Sequence, residues 1–311
     1  MEYLYGPVPS RRLGLSLGID LIPYKICSFN CIYCECGETT KLTKKRKEFK
    51  PVDLIIEELD NYLSTKPELD YITFSGSGEP TLYKHIGKII EFLKNKYPEY
   101  DLALLTNSSL LTDQQVRKEI KKLDLIVPSL DSVIEKNFQK INRPHKDIKL
   151  VEIIDSLIEF KKEFDGKMYL EVFIVPGVND TLEELKKLNK IIGKINPDRV
   201  QLNTLDRPGV VDWIEPASEE TLKKAAEIIG KKAEIIGQYS SNIEKKSINN
   251  KIKEEIIETI KRRPCTVKDL SNILGLHVNE VNKYLRELDK DFEFKITNEK
   301  RGRFYFLAEE E

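Results

Sequence analysis

The chain has 311 residues, and its 51 Lys and Arg against 52 Asp and Glu leave a formal net charge of −1. With 33% charged and 40% hydrophobic residues, the composition is typical of a soluble globular protein and excludes intrinsic disorder and collagen-like structure. No stretch approaches the roughly 18 to 20 apolar residues of a membrane span, and no basic segment followed by an apolar run opens the chain. We therefore expect a cytoplasmic protein with no membrane partner.

Apolar runs of strand length alternate with amphipathic stretches of helix length from residue 17 onward. This alternation predicts an α/β fold built on a parallel sheet with right-handed crossovers. Six strand–helix units are too few to close an eight-stranded barrel, so the sheet is either a partial barrel or doubly wound. The predicted strands are residues 17–22, 71–75, 102–106, 125–128, 169–175 and 199–203.

Capping signals mark the start of several predicted helices. The first helix is predicted to begin at Asp53, after Pro51. Thr112 and Thr181 are each followed three residues later by Gln or Glu, a pattern that indicates a helix N-terminus. The other crossovers are predicted at residues 86–93, 151–164 and 222–229.

Polar or glycine-rich segments follow every predicted strand. Since the carboxyl ends of parallel strands meet at one edge of a sheet, we expect these segments to share one face. They are residues 27–36, 76–80, 107–109, 129–131, 176–180 and 204–208.

The pattern changes near residue 240. We predict a first domain over residues 1–239, a polar linker over 240–249 and a small domain over 250–311. The small domain is predicted to contain three helices and a closing hairpin, the order of a winged helix-turn-helix. Its basic and acidic residues are balanced, so substrate docking or dimerisation is as compatible with the sequence as DNA binding.

Four of the five cysteines lie within ten residues, and three of them are spaced as Cys27-x3-Cys31-x2-Cys34. Clustering of this kind in a cytoplasmic chain favours metal binding over a disulfide. Three thiolates on one loop can bind three irons of a cubane [4Fe–4S] cluster and leave the fourth iron open. The alternative is a zinc site with Cys36 as the fourth thiolate.

These residues resemble the radical S-adenosylmethionine (radical SAM) superfamily. The resemblance rests on the cysteine spacing, on Tyr33 just before the third cysteine, and on the glycine-rich acidic loop after the second strand, and it covers roughly residues 10 to 230. It implies a partial (βα)6 TIM-like barrel that binds a [4Fe–4S] cluster and S-adenosylmethionine. It also implies an electron donor of the reduced ferredoxin or flavodoxin type, and reductive cleavage to a 5′-deoxyadenosyl radical that abstracts a substrate hydrogen.

The resemblance also implies roles for single residues. Cys27, Cys31 and Cys34 match the cluster ligands, and Tyr33 matches the aromatic residue that packs beside the adenine. The backbone of Ser77 and Gly78 and the carboxylate of Glu79 would meet the methionyl ammonium. The remaining matched positions would contact the ribose, the methionyl carboxylate, the adenine or the pocket wall: Asn107, Ser129, Asp131, Arg143, Val175, Gln201 and Asn203.

Two features bear on the substrate. Residues 5–14, which include Arg11 and Arg12, resemble a branch grouped with the tRNA wyosine-base synthases, although Glu35 stands where those synthases tend to have tryptophan. Residues 41–50 hold six basic residues and one acidic residue, typical of a phosphate-binding segment or of a solvated basic turn.

RNA, and tRNA in particular, is therefore the substrate class we expect. One alternative is radical modification or activation of a protein or peptide. The other is a redox- or S-adenosylmethionine-sensing transcription regulator, with the small domain as its DNA-binding output.

Overall fold

The computed structural model describes residues 2–10, 12–23, 25–34, 36–205, 209–236, 250–262, 265–274, 276–289, 292, 294–299 and 302–307. The predicted linker at residues 240–249 lies outside this part of the chain, as do Arg11 and Glu35.

The described residues form strands and helices that alternate along most of the chain. In chain order the strands are β1 (Leu4–Ser10), β2 (Gly14–Ile19), β3 (Ile26–Cys27), β4 (Lys41–Leu42), β5 (Tyr71–Phe74), β6 (Asp101–Thr106), β7 (Leu125–Pro128), β8 (Lys167–Phe173), β9 (Arg199–Asn203), β10 (Ala233–Ile235), β11 (Cys265–Thr266), β12 (Phe294–Glu299) and β13 (Gly302–Leu307). The helices are α1 (Val52–Leu63), α2 (Ile86–Lys96), α3 (Gln114–Ile120), α4 (Glu135–Asn142), α5 (Leu150–Glu163), α6 (Leu182–Ile195), α7 (Glu219–Ile229), α8 (Asn250–Arg262), α9 (Val267–Leu274) and α10 (Val278–Leu288), with a 3-10 turn at Pro80–Leu82.

One eight-stranded sheet organises the larger part of the chain, in the order β1-β2-β5-β6-β7-β8-β9-β10. All neighbours from β2 to β10 are parallel, and β1 is antiparallel to β2. Strand order follows chain order without the reversal of a doubly wound sheet, so the partial-barrel alternative is the one observed.

All six predicted strands are present in this sheet, which also contains two strands that were not predicted, β1 and β10. Pro7 and Pro9 in β1 indicate a loop, since proline removes backbone donors from a sheet. β10 has three residues, too few for a recognisable apolar pattern.

The two faces of the sheet differ because side chains alternate along each strand. On β8, Leu170 and Val172 pack into the large core shared with the helices. On the other face, Leu13 from the β1–β2 turn packs with Leu125 and Val127 in a small apolar layer. Toward the carboxyl ends of the strands the same face also carries polar side chains, among them Glu171, Gln201 and Asn203, and the candidate site lies there.

The observed N-caps of three helices can be compared with the predicted ones. Thr181 caps α6 by accepting a hydrogen bond from the Glu184 amide, as predicted. The prediction for Thr112 was wrong, because Asp113 caps α3 with a carboxylate that accepts from the Gln115 amide. Asp53 is likewise not a cap: α1 begins one residue earlier, and Asp53 lies in its first turn.

The C-terminal part contains α8, α9, α10 and a three-stranded antiparallel sheet in the order β11-β13-β12. It has its own apolar core, which includes Ile256, Leu270, Val281 and Leu285. The three helices and the hairpin agree with the elements predicted for residues 250–311. Among all described residues, no helix is both long enough and apolar enough to span a membrane.

Candidate active site

The cysteine loop is held by backbone hydrogen bonds on both sides. β3 pairs with β4, and the Thr43 amide donates to the Cys27 carbonyl at 2.9 Å. On the opposite side, the Asn30 amide donates to the Asn142 carbonyl and the Ile32 amide to the Ile141 carbonyl. The loop is therefore fixed between β4 and the end of α4.

Each of the three predicted cluster cysteines is met by a nitrogen donor. Asn107 Nδ2 lies 3.5 Å from Cys27 Sγ, and Asn142 Nδ2 lies 3.5 Å from Cys31 Sγ. Lys25 Nζ lies 2.7 Å from Cys34 Sγ. None of these cysteines forms a disulfide. Donors aimed at three sulfurs stabilise thiolates, the form in which cysteine binds iron, so the residues present fit a [4Fe–4S] cluster.

Burial and nearby charges give two of these thiols very different pKa values. Burial, reinforced by the charge of Glu79, raises the pKa of Cys27 to about 11. A hydrogen bond from Cys36 and the nearby Lys25 ammonium lower the pKa of Cys34 to about 5. Cys34 is thus a thiolate at neutral pH, whereas Cys27 loses its proton when a metal binds.

Lys25 is 3% exposed, and the sequence analysis did not identify it. Burial opposes its charge, but the Cys34 thiolate outweighs this effect and the pKa of Lys25 is raised. Its position two residues before the first cysteine was the signal that could have indicated it.

No group of three or more His, Cys, Asp or Glu side chains within the described residues is placed to hold a single metal ion. A cubane cluster does not require such convergence, because each cysteine binds a different iron.

The loop after β5 packs tightly under the cysteine loop. A Cβ on Gly78 would lie 2.1 Å from the Ile26 carbonyl oxygen, so only glycine permits this approach. Ser77 donates to Asp20 Oδ2 at 3.2 Å. The loop therefore follows the backbone of β3 closely.

Glu79 is 2% exposed, and its carboxylate is already bonded within the protein. Oε1 accepts from the Thr106 hydroxyl and from both the amide and the hydroxyl of Thr81, and Oε2 accepts from the Asn107 amide. Glu79 thus joins the β5 loop to the end of β6, a task beyond the ammonium contact that the resemblance implies.

Asp131 connects Tyr33, the residue before the third cysteine, to β8. Its Oδ2 accepts from the Tyr33 hydroxyl and from Asn142 Nδ2, both at 2.6 Å, and its Oδ1 accepts from the Phe173 amide at 2.9 Å. The Tyr33 ring stacks on Phe173 with centroids 3.8 Å apart. Burial raises the pKa of Asp131 to about 6. Asp131 therefore fixes the aromatic residue predicted to lie beside the adenine.

Glu171 on β8 accepts hydrogen bonds from two further predicted site residues. Its oxygens accept from the Ser129 hydroxyl at 3.1 Å and from Asn203 Nδ2 at 3.1 Å. Arg12 forms an ion pair with it at 2.6 Å. Glu171 was not predicted from the sequence, although a carboxylate between the apolar Leu170 and Val172 in a predicted strand was a usable signal.

Two buried amide oxygens have no hydrogen-bond partner in the described part of the chain: Asn142 Oδ1 and Gln201 Oε1. Gln201 donates through Nε2 to Glu234 Oε1 at 2.8 Å, so its amide is oriented. Buried acceptors normally have donors, and a bound ligand on the inner face would supply them.

The other two predicted positions lie near the cysteine loop. Arg143 is the left-handed C-cap of α4, and its carbonyl accepts from the Asn30 amide at 3.1 Å. Among the described residues its guanidinium forms no ion pair. Val175 packs with Ile32 and Phe173 in an apolar cluster that also contacts Tyr33.

A cleft of about 1370 Å³ lies between the cysteine loop and the C-terminal part. Cys36 and Gly76 line one side, and Cys36 donates to the Gly76 carbonyl at 3.8 Å. The other side is formed by α9, α10 and the hairpin. Its basic, amide and aromatic groups are Lys268, Asn279, Asn282, Lys283, Arg286, Arg303 and Tyr305.

His277, the N-cap of α10, closes one end of this cleft. Its ring lies 5.0 Å from the Tyr5 ring, and Nε2 lies 3.6 Å from Asp20 Oδ2. Burial and the Lys50 charge lower the pKa of His277 to about 4. The C-terminal part is thus docked beside the loop that carries Ser77.

Comparison with known proteins identifies a family. The sequence model of the Radical SAM superfamily matches residues 21–189. The chain is 39% identical over 289 residues to the GTPase Obg of Brachyspira hyodysenteriae, spanning 92% of this chain but 42% of that protein. It is 36% identical over 302 residues to a UPF0026 protein of Methanocaldococcus jannaschii, spanning 92% of this chain and 91% of that protein.

Among solved structures, a radical SAM methyltransferase from Sphaerobacter thermophilus is similar, with a TM-score of 0.54 and 15% identity. The match covers 73% of this chain and 68% of that one, and it concerns the fold.

Proposed function

This chain belongs to the radical SAM superfamily, and on that premise we propose that it modifies RNA, with tRNA as the favoured substrate class. Its cofactors are a [4Fe–4S] cluster and S-adenosylmethionine. When bound, they supply a 5′-deoxyadenosyl radical, produced by one-electron cleavage of the sulfonium, that abstracts a hydrogen atom from the substrate. The chain is therefore an iron–sulfur enzyme.

In this proposal, Cys27, Cys31 and Cys34 hold the cluster. The donors on their sulfurs support the assignment, because hydrogen bonds to sulfur stabilise the thiolate ligands. The zinc alternative, with Cys36 as a fourth ligand, is set aside because the superfamily's cofactor is the cluster.

The inner face of the sheet would bind S-adenosylmethionine. Ser129 and Asn203, oriented by Glu171, present hydroxyl and amide groups there. Tyr33 and Val175 offer an apolar wall for the adenine, and Arg143 a cation for the methionyl carboxylate. The remaining assignments are Ser77, Gly78 and Glu79 for the ammonium, Asn107 and Asp131 for orienting the cysteines and Tyr33, and Gln201 for the pocket wall.

Residues 209–217 cover this face. The Val210 amide donates to the Ile32 carbonyl at 2.8 Å, and Ile214 is buried against the Tyr33 side of the loop. Such a cover excludes water, which a radical reaction requires because side reactions compete with the substrate.

The observation that carries the RNA proposal is the cleft beside Cys36. Its C-terminal wall combines Lys and Arg side chains for phosphates, Asn side chains for base edges and Tyr305 for stacking. The cleft opens on the cysteine loop, so a bound nucleotide would lie beside the reactive site. The resemblance of residues 5–14 to the branch grouped with tRNA wyosine-base synthases supports the same substrate class.

In this proposal the C-terminal part is a winged helix-turn-helix domain that docks substrate. Helix α10, the recognition helix of such a domain, lines the cleft and faces the cysteine loop. A helix so placed does not offer its face to a straight DNA duplex, and we do not propose the regulator function.

The first experiment tests the chemistry. The protein is reconstituted anaerobically with iron and sulfide, reduced with dithionite and given S-adenosylmethionine. We expect 5′-deoxyadenosine by mass spectrometry from the wild type and none from the Cys27→Ala/Cys31→Ala/Cys34→Ala variant.

The second experiment tests the substrate. Adding tRNA pools should raise the yield of 5′-deoxyadenosine and produce a new nucleoside mass in the digested RNA. Lys268→Glu/Arg303→Glu should reduce tRNA affinity by at least tenfold, since each phosphate contact contributes to binding. The matched control is Lys186→Glu/Lys190→Glu on exposed positions of α6. Stimulation by peptides but not by RNA would contradict the proposal.

A further inference from the structure

The basic segment at residues 41–50 does not line the cleft. It begins on β4, where Leu42 is the register partner of Cys27, and neighbouring strands are about 4.8 Å apart. The segment therefore covers a different side of the cysteine loop, one strand away from a cluster ligand.

The segment presents positive charge to solvent. Lys41, Lys44, Lys45 and Lys47 are exposed. Within the described part of the chain no carboxylate pairs with them; Lys44 contacts a backbone carbonyl, that of Asp147. Arg46 differs, since Glu119 pairs with its guanidinium.

The charged surface continues across the next elements. The Lys84 amide donates to the Lys47 carbonyl at 2.9 Å, which joins the segment to the start of α2. Beyond it lies a groove of about 550 Å³ between α2 and α3, whose basic lining residues are Arg46, Lys84, His85, Lys88, Lys118 and Lys122. Glu91 and Glu119, its acidic lining residues, pair with Lys122 and Arg46.

The same segment also exposes an apolar side chain, at the position whose register partner is Cys27. Leu42 is 40% exposed. An apolar centre with a charged rim is the composition of a protein interface, and weak redox complexes use small interfaces of this kind.

We infer that the surface formed by Lys41, Leu42, Lys45 and Lys47, termed the lysine face, docks an acidic one-electron carrier protein. This inference rests on the proposed function, because the carrier supplies the electron that the cluster chemistry consumes. One electron leaves the reduced carrier, which is oxidised by one electron, and enters the cluster; no bond forms or breaks and no proton moves between the partners.

The position of the lysine face favours a protein over RNA as the molecule that docks there. An electron carrier gains from proximity to Cys27, because electron transfer requires a short path to the cluster. The reacting atom of an RNA substrate would instead lie in the cleft beside Cys36, which the lysine face does not line. Charge complementarity with an acidic carrier also raises the association rate by about 10- to 1000-fold, and salt screens the effect.

The test measures binding as well as electron transfer. Affinities of an acidic flavodoxin and of an acidic ferredoxin for the cluster-loaded protein are measured by calorimetry at low and at high salt. Lys41→Glu/Lys45→Glu/Lys47→Glu should weaken binding of both carriers by at least tenfold at low salt and remove most of the salt dependence. Lys186→Glu/Lys190→Glu is the control and should bind like the wild type.

Two further readouts keep the inference separate from the proposed function. With dithionite as reductant, the triple lysine variant should form 5′-deoxyadenosine at the wild-type rate, whereas with either carrier it should be at least tenfold slower. Wild-type binding of both carriers by the triple variant would overturn the inference, as would loss of tRNA affinity with carrier binding intact. A wild type that tRNA does not stimulate under dithionite would overturn the RNA proposal alone.

Discussion

At the residue scale, two charged side chains inside the protein, Lys25 and Glu171, organise the site. Lys25 bonds to Cys34, and Glu171 accepts hydrogen bonds from Ser129 and Asn203; all three partners were predicted site residues. The cysteine spacing predicts Cys27, Cys31 and Cys34 as cluster ligands, but it does not indicate which distant donor lies beside each sulfur. Asn107 and Asn142 come to the cysteines from β6 and α4, and only the fold brings them there.

Lys25 should set the reduction potential of the cluster. Its ammonium lies 2.7 Å from Cys34 Sγ, and a positive charge favours the more negative, reduced state. Lys25→Met should lower the potential by roughly 60 mV or more, since about 1.4 kcal/mol of differential stabilisation corresponds to 59 mV for one electron. An EPR-monitored redox titration measures this.

Lys25→Arg is the matched control, because it keeps the charge, and its potential should stay near that of the wild type. Equal potentials in Lys25→Met and wild type, with full iron content in both, would show that Lys25 serves only the fold.

Glu171 should position Ser129 and Asn203, two of the groups proposed to bind S-adenosylmethionine. Glu171→Ala frees Ser129 and Asn203 and leaves Arg12 without its partner. We expect affinity for S-adenosylmethionine to fall by about tenfold or more, since a lost hydrogen bond to a charged group costs about 1.5–3 kcal/mol. Calorimetry on the cluster-loaded protein measures this. Tyr169→Phe, two residues earlier on the same face, should keep wild-type affinity.

At the element scale, features that repeat along the chain were predicted correctly, whereas features that occur once were missed. The strand–helix alternation predicted the parallel sheet, because buried strands read as apolar runs. β1 was missed because prolines suggest a loop, and the role of Glu79 was missed because its partners Thr81 and Thr106 are ordinary residues in sequence. The Thr112 cap failed because a stronger cap, Asp113, follows it directly.

Because the loop after β5 packs closely on β3, replacing Gly78 should destabilise the protein. Gly78→Ala places a methyl group 2.1 Å from the Ile26 carbonyl oxygen, so one loop has to move. We expect stability to fall by about 1–3 kcal/mol and iron content per chain to drop. Gly193→Ala in α6, where nothing lies within 4 Å, should instead stabilise the protein by up to about 1 kcal/mol. Thermal melts and iron assays measure both.

At the scale of the whole molecule, the proposed docking face for the electron carrier and the proposed substrate cleft lie on different sides of the cysteine loop. The lysine face adjoins Cys27, and the cleft adjoins Cys36. A partner can therefore bind on one side while substrate occupies the other, and the two should not compete in a binding experiment.

Docking of the C-terminal part should weaken in acid. The pKa of His277 is about 4 in the docked state, below the ordinary value of about 6.5, so docking favours the neutral imidazole. Docking is at full strength above pH 6.5 and is lost progressively as the pH falls toward 4. Asp20, Lys50 and the N-terminal ammonium are charged groups that act on the ring.

Small-angle X-ray scattering should show a larger radius of gyration at pH 5 than at pH 7.5. His277→Asn keeps a capping side chain and removes the titration, so its radius should not change over this range. The same pH dependence in that variant would assign the effect to another group.

Opening of the cleft has a consequence for solubility. Helix α10 packs against β1, an edge strand of the sheet, and when the C-terminal part moves away this edge faces solvent. An uncovered edge can recruit a strand from another molecule and begin aggregation. Pro7 and Pro9 leave two backbone positions of β1 without an N–H to offer such a strand. If the C-terminal part moves away as expected in acid, the uncovered edge therefore offers fewer hydrogen bonds to another molecule.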